Sequence, residues 1–249
     1  MTGMMSRRAD REIAHGKKLS QVDPESVWGW KTPAGQVRAG RRAERIATGA
    51  NLGPGVLALE VGCGTGLFTE MFARTGSRIV AVDISSDLLE MAVARNLPPD
   101  RVRFERKQFE ECDVDGPFDA VIGSSVLHHL DLEKALFRIF ELLKPGGIMS
   151  FAEPNMLNPQ IVIERKFTFM RKWFPQVSPD ETAFLRWRLR SRLGKAGFDM
   201  IEITPFDWLH PHTPERLIGL VGATGRMLEK IPLLREFAGS LYIRCRRPS

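Results

Sequence analysis

Leu59-Glu60-Val61-Gly62-Cys63-Gly64-Thr65-Gly66 is the stretch that decides the reading of this chain. The apolar run Val56 to Val61 has the length and the bounding glycines of a buried strand. Glycine then stands at every second position. Gly66 to Arg74 continues with Leu67, Met71 and Phe72 on one side, the spacing of a helix. Glycine permits positive φ and close approach of backbone to a ligand. The helix start behind it offers N–H groups to an anion. A glycine-rich turn by itself is weak evidence. It gains weight from its place between strand and helix, and from Asp83, which closes the next apolar run, Arg78 to Val82. A carboxylate there can accept both hydroxyls of a ribose. The nicotinamide fingerprint G-x-G-x-x-G is not met, because its third glycine would fall on Leu67.

Outward from this loop, strands and helices alternate. Ser86 to Arg95 reads as a helix with Ser85 or Ser86 as its N-cap. Arg101 to Glu105 and Phe118 to Ile122 read as strands. Leu132 to Leu143 is a helix halted at Lys144-Pro145-Gly146-Gly147, and Ile148 to Ala152 is a fifth strand. Thr182 to Ala196 is helical, and Phe198 to Thr204 and Leu241 to Cys245 are strands. This order predicts an α/β fold, a parallel sheet with helices on both faces and its motifs gathered at the carboxyl edge. Residues 1–50 are expected to form an N-terminal helical segment and lid, loosely ordered over 1–27 and helical over Gln36 to Ala47. Residues 51–152 form the core. Residues 153–249 complete the sheet and carry lid insertions at about 153–184 and 210–237.

The chain has 249 residues, 43% hydrophobic and 27% charged, as an ordinary globular protein does. Cys63, Cys112 and Cys245 are scattered, with no CxxC pair, so neither a disulfide framework nor a zinc site is expected and a reducing cytoplasm is the default. Residues 1–20 lack the apolar core of a signal peptide. The net charge of +6 is carried by clusters such as Arg38, Arg41, Arg42 and Arg45, read as solvated helix faces before a phosphate-binding surface.

The E-x-G-x-G-x-G pattern of Glu60 to Gly66 resembles motif I of the class I S-adenosylmethionine-dependent methyltransferases. Ser125-Val126-Leu127-His128-His129-Leu130 after the fourth strand and Leu143-Lys144-Pro145-Gly146-Gly147 before the fifth also look like that family, in the right order over residues 55–155. The resemblance implies a Rossmann-like seven-stranded, mostly parallel sheet and S-adenosylmethionine as cofactor. It implies that Gly62, Gly64 and Gly66, with Cys63 as a small loop residue, face the methionine moiety. Glu60 would hold the loop and reach the amino group. Asp83 would bind the ribose and Ile84 would pack on the adenine; Gln108 and Phe109 stand at the cofactor where the family often has an Asp-Ala pair, and Gln108 would reach the adenine edge. Ser124 and Ser125 would lie near the sulfonium.

His128 and His129 are the candidate general bases, since imidazole accepts a proton near neutral pH. In quinone-biosynthesis O-methyltransferases the similar turn carries glutamates beside a histidine and holds a divalent metal. Here Ser125 and His128 stand at those glutamate positions, so no metal is expected. The turn after the fourth strand, Gly123-Ser124-Ser125-Val126, lacks the Asn/Asp-Pro-Pro-aromatic pattern of nucleic-acid amino-methylating enzymes. The expected acceptor is a hydrophobic or amphipathic small molecule, methylated on oxygen. It would sit under the two insertions with Trp28 and Trp30 closing the other side, and His210 and His212 could face it. Arg165, Lys166, Arg171 and Lys172, interleaved with Phe167, Phe169 and Trp173, suggest contact with an anionic membrane surface. A nicotinamide oxidoreductase, a nucleic-acid methyltransferase and a cofactor-binding module without transfer are the alternatives.

Overall fold

Seven strands form one sheet in the order β3-β2-β1-β4-β5-β7-β6, as seen in a computed structural model that describes residues 2–166 and 183–249. β1 (Leu57–Val61), β2 (Arg78–Asp83), β3 (Val102–Arg106), β4 (Phe118–Ser124) and β5 (Leu143–Pro154) run parallel. β7 (Ser240–Arg246) is antiparallel to β5 and to β6 (Asp199–Phe206). This is the α/β sheet that the alternation of elements predicted, in the seven-stranded, mostly parallel Rossmann-like form that the family resemblance implied.

Central strands are apolar on both sides because both sheet faces are covered. Leu59 and Val61 point into a core shared with α6 (Leu132–Leu142) and α8 (Arg186–Lys195), where Leu136, Ile139, Leu189 and Leu193 are buried. Ala58 points the other way. That core is shared with α3 (Pro33–Gly49), α4 (Leu67–Ala73) and α5 (Ser86–Val93) through Ile46, Phe72 and Leu89. In register, Val61 pairs with Val82 and Gly123, and Ser124 with Ala152. The tips of β1, β2, β4 and β5 therefore meet along one edge, and the loops that leave them share a rim.

Helix starts are set by local chemistry. Ser85 caps α5 by accepting the Leu88 N–H at 3.3 Å. Thr32 caps α3, accepting from Gly35 N at 2.9 Å with Pro33 in the first turn. α3 thus begins three residues before the Arg/Ala-rich run at Gln36.

Residues 2–27 differ from expectation. Thr2–Ser20 is one helix, α1, followed by the single turn α2 (Pro24–Val27). α1 lies against α5 so closely that a Cβ on Gly16 would collide with the Ser85 side chain. Its inward stripe is Arg8, Glu12, His15, Gly16 and Leu19, spaced by three and four residues. Most of that stripe is polar because it faces a cavity and not a core, which is why hydrophobic periodicity does not reveal it. Beyond β5, α7 (Pro159–Lys166) precedes the undescribed stretch, so Phe167, Phe169, Arg171, Lys172 and Trp173 lie outside the described residues, as do the side chains of Arg165 and Lys166. The second insertion contains α9 (Ile218–Leu228) between 3-10 turns at Glu215–Leu217 and Leu234–Phe237.

Candidate active site

A cavity of about 930 Å³ opens at the carboxyl edge of the sheet. That is the upper end of the usual range for ligand sites, about 300–1,000 Å³. Its floor is the loop after β1 and the tip of β2. One wall is the turn after β4, and the cover comes from α1, the Trp28–Trp30 segment and residues 207–212.

The three loop glycines all have positive φ: 66° at Gly62, 52° at Gly64 and 76° at Gly66. Their reasons differ. A Cβ on Gly62 would collide with the Val126 side chain, and one on Gly66 would come within 3.0 Å of Ala92 on α5. Gly64 has room, with Trp28 as its nearest neighbour at 3.6 Å. The expectation that the loop amides face a ligand needs correcting. The N–H groups of Gly62 and Cys63 donate to Val82 O, that of Gly66 to Cys63 O, and that of Gly64 to Asp83 Oδ2 at 2.8 Å. Of these loop amides, that of Gly64 instead aims the carboxylate. Asp83 Oδ1 accepts the Ser85 N–H at 2.9 Å, so each oxygen is fixed by one backbone donor and keeps a second lone pair. Burial raises the Asp83 carboxyl above its ordinary value, opposed by these two N–H bonds.

Cys63, Gly64, Asp83, Ile84, Gln108 and Phe109 line the cavity together. So do Gly62, Ser124, Ser125, His128 and His129. Glu60 and Gly66 do not. Glu60 is buried beneath the loop on the α4 side, and its Oε2 has no partner among the described residues. Burial pushes its carboxyl up to about 8, against the pull of the nearby Thr69 hydroxyl. Burial, with the Asp83 and Glu60 carboxyls beside it, also keeps the Cys63 thiol protonated. It is no nucleophile.

Both histidines have a carboxylate at Nδ1. Glu153, at the end of β5, stands 2.6 Å from His128 Nδ1, and its other oxygen accepts the Val126 and Leu127 N–H groups at 2.9 Å each. Burial alone would raise the Glu153 carboxyl; the imidazole and the two N–H donors outweigh it and hold it below the ordinary range. An anionic Glu153 makes His128 Nδ1 the donor and Nε2 the basic nitrogen. His129 Nδ1 is 3.2 Å from Glu12 Oε2 on α1, and the two imidazoles stack with centroids 4.2 Å apart. Arg8 Nη2 donates to the His128 carbonyl at 3.3 Å.

Arg42 sets the opposite wall. It is 3% exposed and donates to Ser125 Oγ at 2.8 Å and Ala152 O at 3.0 Å, with Ser124 and Ser240 hydroxyls also within reach. All of these acceptors are neutral, no carboxylate lies within ion-pair distance among the described residues, and Nε is unpartnered. Burial lowers its guanidinium to about 10, yet it stays charged at neutral pH. Ser125 meets it from a strained backbone, φ 56°, of the kind found where a site over-determines its geometry. Arg38, paired with Asp207 at 2.9 Å, and Trp30 continue this wall.

The cover is pinned to the loop and to itself. Glu25 in α2 accepts from Thr65 Oγ1 at 2.8 Å and pairs with Arg95, whose Nε donates to Thr65 O at 2.6 Å. Thr32 Oγ1 donates to Pro211 O at 2.6 Å, so the two covering segments are joined. Trp28, Trp30, His210 and His212 all line the cavity. Arg8, Glu12, Arg38, Arg42, Glu153 and Asp207 escaped sequence reasoning. The only available signal was the polar three-and-four spacing of residues 8–19.

This donor set fits an adenosyl sulfonium amino acid. It has a carboxylate with two open lone pairs for a diol, apolar Ile84 and Phe109 beside an amide, and an unneutralised guanidinium for a carboxylate. Residues 58–147 match the family described as a methyltransferase domain. A ubiquinone biosynthesis O-methyltransferase of Bradyrhizobium sp. (strain ORS 278) is 30% identical over 193 residues, which cover 68% of this chain and 75% of that protein. A protein of the same name from Xanthomonas campestris pv. campestris (strain B100) is 34% identical over 106 residues, covering 41% of this chain and only 44% of that one. The solved structure of N-methyltransferase NodS from Bradyrhizobium japonicum WM9 with S-adenosyl-L-homocysteine has a TM-score of 0.63 at 16% identity. It covers 95% of this chain and 98% of its own, a likeness of fold. The chain belongs to the class I S-adenosylmethionine-dependent methyltransferases.

Proposed function

We propose that this protein methylates an oxygen of a hydrophobic or amphipathic small molecule held between the loop at 62–66 and the cover formed by α1, Trp30 and Trp208. The observation that carries the reading is the covered cavity itself. It joins a cofactor-shaped floor to an aromatic wall and a carboxylate-backed histidine pair.

When bound, S-adenosylmethionine supplies an activated methyl group on sulfur, so the protein's task is mainly alignment. Asp83 holds the ribose, Ile84 and Phe109 flank the adenine, Gln108 meets its edge, and Gly62 to Gly64 leave room for the methionine chain. Arg42 supplies the counter-charge for the methionine carboxylate, for which its own surroundings offer no anion. Glu60 and Gly66 act from beneath: one braces the loop, the other lets α4 and α5 meet. His129 side-chain exposure is 23% against 2% for His128, so His129 takes the acceptor's proton and His128, tied to Glu153, holds the turn. The indole N–H of Trp208 has no partner among the described residues and is offered to a polar group of the acceptor.

The acceptor preference has support in the relatives, which are named O-methyltransferases of ubiquinone biosynthesis. Incubation with methyl-labelled cofactor and a panel of phenols, lipid-linked sugars and polyketide-like alcohols tests it. Label should enter an oxygen of one or more of these. Label found only in RNA or protein would overturn the reading.

A further inference from the structure

The second insertion presents a face that the cavity does not use. α9 turns Gly225 inward against Trp208, a cavity wall. Its opposite stripe carries Leu220 and Met227, 66% and 67% exposed, and runs on to Ile231 and Leu233, the latter 78% exposed. Large apolar side chains left in water along one stripe form the kind of patch that marks an interaction surface. The exposed charges flanking the stripe are Arg216, Arg226 and Lys230 against one acid, Glu215. Of the nearby acids, Glu229 is turned inward to Arg41 at 2.7 Å and to the Asp207 N–H at 2.9 Å, and Glu236 pairs with Arg186 at 3.0 Å. That last bond joins the stripe to the first turn of α8, which shows Trp187 at 53% exposure next to Arg188. α8 contains five basic residues and no acidic one.

We infer that this face docks on an anionic lipid surface. Apolar side chains enter the boundary between headgroups and acyl chains, an indole sits at the interface, and the guanidinium and ammonium groups meet lipid phosphates. No helix among the described residues is long and apolar enough to cross a membrane, and the face needs none: it lies on the surface. The inference rests on exposure and charge and not on the acceptor. It deepens the proposed function by placing the cavity cover, through Trp208 and Gly225, against the phase in which a hydrophobic acceptor dissolves.

The test is sedimentation of the full chain with vesicles of phosphatidylcholine alone and with about a third phosphatidylglycerol. The comparison is Leu220→Glu/Met227→Glu, two exposed positions outside the cavity. Binding is expected to the anionic vesicles, to weaken at least tenfold in the variant, and to fall with added salt. S-adenosylhomocysteine affinity, read by calorimetry, should be unchanged in the variant. The same calorimetry reads the methyltransferase site without vesicles, so loss of one result does not mimic loss of the other. Equal binding to both vesicle types, equal binding by the variant, or no binding would overturn the inference. So would a dimer that the double substitution turns into monomers, because the face would then belong to a second copy of the chain.

Discussion

Asp83→Ala removes the carboxylate on which the cofactor assignment turns. In the native loop each Asp83 oxygen accepts one backbone N–H, from Gly64 at 2.8 Å and Ser85 at 2.9 Å, and each has one lone pair left toward the cavity. Two ribose hydroxyls would use those lone pairs. A hydrogen bond to a charged group contributes about 1.5–3 kcal/mol, but water replaces part of it in the variant, so the expected loss of binding is about 1–3 kcal/mol. That is roughly a 5- to 160-fold weaker Kd for S-adenosylhomocysteine. Asp83→Asn should not rescue it. An amide offers one oxygen where two donors wait, so its NH₂ would face a backbone N–H and the loop would lose one of its two ties. Titration calorimetry of both variants, with circular dichroism to establish that each is folded, gives the answer. An Asp83→Ala protein that folds and binds S-adenosylhomocysteine as tightly as the native chain would show that the carboxylate only ties the loop, and would refute its ribose role.

Glu60 gives a pH test. Its folded carboxyl lies near 8 against an ordinary value of 4.5, so between these the folded chain holds a proton that the unfolded chain has released, and stability falls as pH rises through that window. Glu60→Gln removes the dependence, which is on the order of 3–5 kcal/mol as an upper bound; urea midpoints at pH 5, 6.5 and 8 should decline for the native chain and hold nearly level for the variant, and parallel declines would discount the buried acid. Gly64→Ala, with open space but φ 52°, should cost about 1–2 kcal/mol, whereas Gly62→Ala adds a collision with Val126 and should cost clearly more by thermal melting. With an acceptor in hand, His129→Asn should lower kcat about 100-fold or more and Glu12→Gln less, and the double variant should match His129→Asn alone; multiplied losses would separate Glu12 from the base.

The sheet and the gathering of the glycine loop and Asp83 on one cavity floor were legible because they follow strong local rules. β1 had to be buried on both faces, so Val56 to Val61 reads as a strand. The glycines after it all sit at positive φ, and Asp83 falls at a strand tip whatever the surrounding loops do. The walls follow no such rule. Glu153 is one acidic residue at the end of a strand. Nothing within residues 150–156 reveals that it anchors the Val126 and Leu127 amides and a histidine, because that pairing crosses more than twenty residues of sequence. Arg42 sits in a helix with other arginines, and sequence gives no sign that it alone is buried.

The case of α1 shows why a ligand site hides its own cover. A helix that packs on a protein core advertises an apolar stripe, since water must be excluded from both sides of the contact. A helix that roofs a cavity packs on its occupant, and its inward residues must suit that occupant. Arg8 and Glu12 reach His128 and His129 for that reason, His15 lines the cavity, and only Gly16 and Leu19 follow the core pattern. The polarity that made residues 1–27 look unstructured is therefore the chemistry of the roof. The same argument applies in reverse to α9. Its inward side meets Trp208 through a glycine, while its outward side shows Leu220 and Met227, the reverse of a helix that turns its apolar stripe to a core.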